Sequence, residues 1–419
     1  MKSILFVNPE DEYVEHKGDR LPLGLALLDA YCKRLGHNSK LIDLNHYSAE
    51  YLMDELKKGY GYVCFSVSTP NYLQCINLSK RIKSIYHNIK LIAGGNHITD
   101  VPNEKSSLET YDYLVVGDGE EAIKKILEDN TTQIIISKPI EDLDNLPFPD
   151  YEKLGMEKYT MTLNGKKAVV MVTSRGCVFS CVYCGSAKIK KWRARSPEDV
   201  VKEMKLLYDR FDIKGFYFGD DIFTFNFDRI FKLCNLISEN FPKKDITWRC
   251  TTRANLLTQE LCYSMRNAGC DIISLGLESG NNEVLKKMEK FMTTDIQKKG
   301  VEMCHKAGIK VKGFFIIGLP GETWETAIDT IEFARSLNLE YADAYILTPF
   351  PATPLWENPE KYGIQIIKPE GSDWSKYYQV GKGGEYFVNI KHNNLNEEQL
   401  RALIKKFRDE VKVGGLTYK

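Results

Sequence analysis

Neither sign of charge prevails in this chain: 57 lysines and arginines face 57 aspartates and glutamates. Bulk attraction to nucleic acid or to an anionic membrane is therefore not a driving force. No apolar run reaches the roughly 18 residues that a membrane span needs. The opening MKSILFVNPEDE turns acidic where a signal peptide would continue its apolar stretch, which predicts the first strand of a cytoplasmic protein. Seven histidines, scattered along the chain, are too few to build a histidine-rich metal centre. No GxGxxG follows the first strand, which argues against a nicotinamide or flavin site there. Disorder, collagen-like repetition and a small disulfide scaffold are also excluded, because 43% hydrophobic and 27% charged residues make an ordinary globular balance. A length of 419 residues allows roughly two to three domains.

What is present begins with alternation. Apolar strands are expected at 3–8, 40–44, 63–67, 90–95 and from 113, with helices at 21–36, 47–58, 73–86 and up to 129. Such alternation predicts a parallel sheet covered on both faces. Ligands of these sheets bind beyond the carboxyl ends of the strands. Four polar or glycine-rich loops fall there: Asn8–Gly24, Ser66–Asn71, Gly94–Thr99 and Gly117–Glu121. They read either as ligand loops or as plain tight turns.

A proline-containing stretch at 144–154 then leads to a second run of strands and helices. Cys177, Cys181 and Cys184 form C-x3-C-x2-C just beyond an expected strand at 168–173. Three thiolates on one loop can hold three irons of a cubane and leave the fourth iron open. Zinc is the alternative, although no fourth ligand stands at short spacing; ordinary reduced cysteines are another. Strands recur at 215–221, 246–253, 271–278, 310–318 and 343–349, separated by helices. Counting the cysteine-bearing unit, this is a partial (β/α)6 barrel, with chemistry expected at the C-terminal strand ends.

At this point the resemblance becomes specific. RGCVFSCVYC at 175–184 resembles the cluster loop of the radical S-adenosylmethionine superfamily. GDDIF (219–223), TTRAN (251–255), GLESG (276–280), GFFIIGLPGET (313–323) and TPFPATPLW (348–356) agree with it. SVSTPNY (66–72), LIAGGNHIT (91–99) and YLVVGDGEEA (113–122) resemble the cobalamin-binding domain attached to many members. The resemblance implies an α/β chain with a Rossmann-like cobalamin-binding domain at 1–143 and a linker at 144–165. A radical S-adenosylmethionine partial barrel at 166–356 would follow, then a small, partly helical C-terminal region at 357–419.

By carry-over, Cys177, Cys181 and Cys184 hold a [4Fe–4S] cluster whose open iron chelates S-adenosylmethionine. Tyr183 takes the aromatic position near adenine, or packs beneath the loop. Arg253 is a candidate to neutralise the methionyl carboxylate, or pairs with a neighbouring carboxylate. Glu278 would accept from the cofactor's ammonium or a ribose hydroxyl. Gly318, Pro320 and Gly321 would let backbone lie against adenine, with Glu322 bracing their loop. Asp220 and Asp221 end the second barrel strand, where at most one side chain faces inward; Asp220 is the cofactor-side candidate.

In the first domain, Ser66, Ser68, Thr69, Gly94, Gly95, Gly117 and Gly119 are candidates for the corrin amides and nucleotide tail. His97 would approach the cofactor or stabilise its own loop. The aspartate-x-histidine-x-x-glycine signature is missing from the first loop, which offers only His16, Lys17 and Gly18 with tyrosine at 13. Cobalamin would then be held base-off, without a histidine below cobalt. The other cysteines show no C-x2-C spacing, so a second cluster is not expected. The aromatics of DWSKYY at 373–378 would cap the barrel, line a substrate pocket, or simply pack on the surface. Asn396 and Gln399 predict a capping box opening an amphipathic helix, which would dock on the protein or lie on a membrane surface.

The activity implied is methyl transfer to an unactivated carbon or to phosphorus, through a 5′-deoxyadenosyl radical and methylcobalamin. The alternative keeps the cofactors but performs cyclisation, ring rearrangement or carbon–carbon coupling. A corrinoid carrier or structural iron–sulfur protein is the non-enzymatic alternative. Expected partners are a low-potential electron donor such as flavodoxin or ferredoxin, and a small-molecule, lipid or peptide substrate.

Overall fold

The computed structural model describes the chain except residues 13, 15, 130, 189–190, 379–385 and 412–419. Two compact units emerge: Met1–Thr160 with Lys368–Glu385, and Met161–Ile367 with Tyr386–Lys419. The segment 357–419 is thus divided between them. Among the described residues no helix is long and apolar enough to cross a membrane.

In the first unit, strands β1 (Ser3–Asn8), β2 (Asn38–Asp43), β3 (Tyr62–Ser66), β4 (Lys90–Gly94), β5 (Tyr113–Val116) and β6 (Ile134–Ile136) form one sheet. Its order is β2-β1-β3-β4-β5-β6, and every pairing is parallel. Helices α1 (Leu23–Arg34), α2 (Ala49–Leu56), α3 (Tyr72–Ile85), α4 (Asn96–Asp100), α5 (Lys105–Thr110) and α6 (Gly119–Leu127) join the strands. Ile4, Phe6, Cys64, Ile92 and Val115 share a core with Leu25, Cys32, Ile123 and Ile126 of α1 and α6. The strand order reverses direction at β1 and β3, which places a ligand crevice outside their carboxyl ends. The sheet matches the expected architecture, with β6 as a strand that the sequence reading did not separate.

The second unit opens with β7 (Thr162–Leu163), β8 (Lys166–Met171) and a two-residue ribbon of β9 (Ser174–Arg175) with β10 (Arg193–Ala194). Then come α7 (Pro197–Phe211), β11 (Gly215–Phe218), α8 (Phe227–Asn240), β12 (Thr247–Thr252), α9 (Gln259–Asn267) and β13 (Cys270–Glu278). The barrel ends with α10 (Asn282–Lys287), α11 (Thr294–Lys306), β14 (Lys310–Ile317), α12 (Trp324–Ser336) and β15 (Tyr341–Ile346). The sheet order is β15-β14-β13-β12-β11-β8-β7, with only β7 antiparallel to its neighbour. Six parallel strands with the helices between them are the expected partial barrel. Its two edges, β15 and β7, do not pair.

Local chemistry sets the helix starts. Ser196 accepts from Asp199 N and Pro197 follows it, a start that fits proline's missing N–H. Thr323 and Thr326 cap one another at α12. Trp248, Phe218 and Phe223 pack with ring centroids 5.0 to 5.7 Å apart, and all three are buried. After α13 (Pro354–Glu357), strands β16 (Ile364–Ile366) and β17 (Ile390–His392) form an antiparallel hairpin. Helix α14 (Glu397–Glu410) starts at the predicted Asn396–Gln399 capping box. It buries Leu400, Leu403, Ile404 and Phe407, the last against Phe315 of β14, so its apolar face is spent on docking.

Candidate functional site

In the second unit the cysteine loop grows out of β9. Gly176 turns the chain at φ 87°, a left-handed conformation that suits a residue without Cβ. Cys181 is buried, Cys177 and Cys184 are half-buried, and none is in a disulfide. Burial pushes the Cys177 and Cys184 thiols up, and the neighbouring Cys181 adds to the shift. Among the described residues no three ligating side chains stand already gathered as a metal set. The donor set still fits an iron–sulfur cluster: three soft sulfurs on one loop, whose protons metal binding would displace.

The root of this loop is fixed from below. Asp220 is buried and accepts from Thr173 N at 2.7 Å, Thr173 Oγ1 at 2.6 Å and Ser174 Oγ at 2.6 Å. Its carboxylate is therefore spent on bracing the strand that launches the loop, not turned toward a cofactor as expected. Asp221 instead accepts from Ser186 Oγ at 2.6 Å on the exposed side. Val182 N donates to Met288 O at 3.2 Å, and Leu355 N donates to Val182 O at 3.0 Å.

Glu278 closes β13 at φ 67°, where the register with β14 shifts between Gly276 and Glu278. That strained backbone aims its carboxylate at Lys290 Nζ, 2.8 Å away and buried with it. A Cβ at position 276 would stand 2.5 Å from Glu278 Oε1 and 3.1 Å from Lys290 Nζ, so a side chain there would displace the pair from this geometry. Tyr183 is half-buried beside them; burial first and the Glu278 charge second push its phenol up. Lys290 was not legible as a site residue in the sequence, since no motif spacing links it to Glu278.

Arg253 is buried and donates to three groups: Cys181 Sγ at 3.4 Å, Asn255 Oδ1 at 3.3 Å and the Lys290 carbonyl. Its guanidinium also lies 3.8 Å from the Phe179 ring centroid. None of these three partners is a carboxylate.

In the loop after β14, Gly318 and Gly321 take φ 84° and 75°. The space each leaves is filled by the chain itself. A Cβ at Gly318 would meet Leu400 at 3.0 Å, and one at Gly321 would meet Lys287 Nζ at 2.3 Å. In the structure these glycines, with buried Pro320 between them, serve loop conformation and packing on the side where a Cβ would point. Glu322 is fully buried and accepts from Gly318 N at 2.5 Å, which makes it the expected brace. Burial raises its carboxyl from an ordinary 4.5 to about 8. A folded-state value above the unfolded one means that the folded chain binds the extra proton between those limits. Stability from this group is full below about 4.5 and is lost as pH rises through about 8. Thermal melts of Glu322→Gln should therefore show a shallower decline over that window than the parent chain.

In the first unit, the loops after β3 and β4 are bolted together. Val67 N donates to Gly94 O at 2.8 Å, and His97 N donates to Val67 O at 3.1 Å. Ser66, Ser68, Gly94, Gly95, Gly117 and Gly119 keep exposed surface at the strand ends, whereas Thr69 and His97 are buried. Gly95, at φ 97°, lies so close that a Cβ would stand 2.7 Å from Val67 O. Gly117 N donates to Thr99 Oγ1 at 3.1 Å, and Gly119 meets Leu28 of α1. His97 is wholly enclosed: Nδ1 meets Thr69 Oγ1 at 3.4 Å and Nε2 meets Glu104 Oε2 at 3.1 Å. Of the two roles expected for His97, the geometry supports stabilising its own loop. His16 is exposed, Lys17 pairs with Glu10 at 2.6 Å, and Tyr13 lies outside the described residues.

Among the described residues, the aromatics near 373–378 belong to the first unit and pack within it. Trp374 Nε1 donates to Glu104 at 3.1 Å, and its ring stands edge-on to His97 at 5.1 Å. Tyr377 packs on Trp374 at 5.0 Å, and Ser372 Oγ meets Ser106 Oγ at 2.9 Å. Glu104 thus joins the β4 loop to a segment some 270 residues away. No local signal in the sequence marks that link.

An open parallel sheet with polar strand ends, and a partial barrel with three free cysteines on its first loop, define a two-part α/β enzyme scaffold. A model of the radical SAM superfamily matches residues 171–334, and a model of the B12 binding domain matches residues 14–127. An uncharacterized methyltransferase of Pyrococcus horikoshii is 30% identical, over 97% of this chain and 91% of its own length. An anaerobic magnesium-protoporphyrin IX monomethyl ester cyclase of Rubrivivax gelatinosus is 26% identical, over 88% of this chain and 74% of its own. Among solved structures, the radical S-adenosylmethionine methyltransferase TsrM from Kitasatospora setae has the same fold. Its TM-score is 0.78 at 17% identity, covering 100% of this chain and 92% of that one. The chain belongs to the B12-binding family of radical SAM enzymes.

Proposed function

We propose that this chain is a cobalamin-dependent radical S-adenosylmethionine methyltransferase acting on an unactivated carbon or a phosphorus centre. The observation that carries the reading is the three-cysteine loop following a B12-type domain, in a chain alike over nearly its whole length to a methyltransferase. When bound, the cluster and S-adenosylmethionine supply one-electron radical chemistry and the corrinoid supplies a transferable methyl group.

Cys177, Cys181 and Cys184 hold the cluster, while Asp220 and the Met288 carbonyl keep their loop in place. Tyr183 and Glu278 orient S-adenosylmethionine, with Gly318, Pro320 and Gly321 shaping the wall beside it. Lys290 already neutralises Glu278, so the carboxylate accepts a hydroxyl at less cost than an isolated charge would. Ser66, Ser68, Gly94, Gly95, Gly117 and Gly119 border the corrinoid, and Thr69 and His97 hold that border from behind. A low-potential donor such as flavodoxin or ferredoxin supplies electrons in a reducing, cytoplasmic setting, and the substrate is a small molecule, lipid or peptide.

The cyclase of Rubrivivax gelatinosus supports a second reading, ring formation with the same cofactors. Anaerobic expression with added corrinoid, followed by assay of bound corrinoid, iron and products, separates them. Methyl transfer yields S-adenosylhomocysteine alongside 5′-deoxyadenosine; 5′-deoxyadenosine without methyl gain favours cyclisation. Iron without corrinoid, even after reconstitution, removes the methyl-transfer reading.

A further inference from the structure

We propose that Arg253 tunes the reduction potential of the cluster by donating a fixed N–H···S hydrogen bond to Cys181, rather than binding the carboxylate of S-adenosylmethionine. The inference rests on the reading of Cys177, Cys181 and Cys184 as cluster ligands.

Every nitrogen of this guanidinium has a partner within the loop system. Nη1 donates to Cys181 Sγ at 3.4 Å, Nε to Asn255 Oδ1 at 3.3 Å and Nη2 to the Lys290 carbonyl. Phe179, two residues before Cys181, covers its face at 3.8 Å. Both Arg253 and Cys181 are buried, so water does little to screen the positive charge. A short helical turn at Ala254–Leu256 follows directly, which fixes the backbone that carries the side chain.

Such a donor has a directional effect. One-electron reduction adds negative charge that the ligand sulfurs share, and a nearby fixed cation stabilises that charge. Hydrogen bonds to ligand sulfur and buried charge are the protein's levers on cluster potential. Arg253 therefore makes the cluster easier to reduce and the reduced cluster a milder reductant. A lysine cannot reproduce the planar fork, since it keeps the charge but not the simultaneous bonds to sulfur, amide and carbonyl.

The test compares the full chain with Arg253→Gln and Arg253→Lys after anaerobic reconstitution. Iron is counted per chain, the midpoint potential is read by EPR titration without S-adenosylmethionine, and S-adenosylmethionine affinity is measured by equilibrium dialysis. The expected result is a more negative midpoint in Arg253→Gln and an intermediate one in Arg253→Lys, with affinity held near that of the parent. An unchanged midpoint overturns the proposal. So does a loss of affinity of roughly tenfold or more at unchanged midpoint, the mark of a lost charge-assisted bond to the carboxylate. If Arg253→Gln takes up no iron, Arg253→Lys carries the comparison, and a midpoint equal to the parent's again overturns it. A parent chain that takes up no iron fails the cluster reading instead.

Discussion

Anaerobically prepared Cys181→Ala is expected to bind iron at least ~100-fold more weakly than the parent chain and to leave S-adenosylmethionine uncleaved. Cys181 is the most enclosed of the three loop thiols, and it is the one that receives Arg253. The residue after it is tied to two separate segments through Met288 O and Leu355 N, so the loop keeps its path when the thiol is gone. The loss should therefore be one of ligation and not of folding. Cys250→Ala provides the contrast. That thiol is fully buried on β12, against Cys270; its removal should cost about 1 kcal/mol of stability and leave iron content intact. Iron assays and melting curves on the two variants separate the classes. A Cys181→Ala chain with the parent's iron would overturn the assignment of the loop.

The second large effect is expected at Gly95. Alanine there meets two penalties at once: a left-handed backbone at φ 97° and a Cβ 2.7 Å from the Val67 carbonyl. Together they should cost about 3 kcal/mol. The Val67 carbonyl and amide form two of the bonds that hold the β3 and β4 loops together, so the damage falls on the border assigned to the corrinoid. Corrinoid content should drop at least ~10-fold while iron stays at the parent level. Gly59→Ala is the control. It has a similar φ of 86° but nothing within 4 Å of the added Cβ, so it carries strain without collision. Extraction of corrinoid from both variants gives the answer. Equal retention in both would mean that the Gly95 loop does not border the cofactor.

Legibility in the sequence followed how local each signal was. Both sheets could be read because their strands are short apolar runs and the helices between them keep a 3.6-residue period. The cysteine loop was legible for the same reason, with all three thiols within eight residues. Arg253 and Glu278 were legible as polar residues at strand ends, but their partners were not. The Glu278–Lys290 pair depends on a positive φ and on the absence of a side chain at 276, which no periodicity predicts. At Gly318 and Gly321 nothing in the sequence indicated that Leu400 and Lys287 occupy the direction in which a Cβ would point. Asp220 misled, since a carboxylate at a strand end looks the same whether it serves a ligand or three neighbouring donors.

The tie between Glu104 and Trp374 bears on the order of synthesis. A ribosome releases the six strands of the first sheet early, yet the indole that completes the His97 enclosure is translated only after all the barrel strands. The first unit must wait, with one side of His97 uncovered, until the loop of the β16–β17 hairpin emerges. A fragment ending at residue 160 omits that indole permanently, so a corrinoid-binding unit cut at this boundary would be an unfinished one.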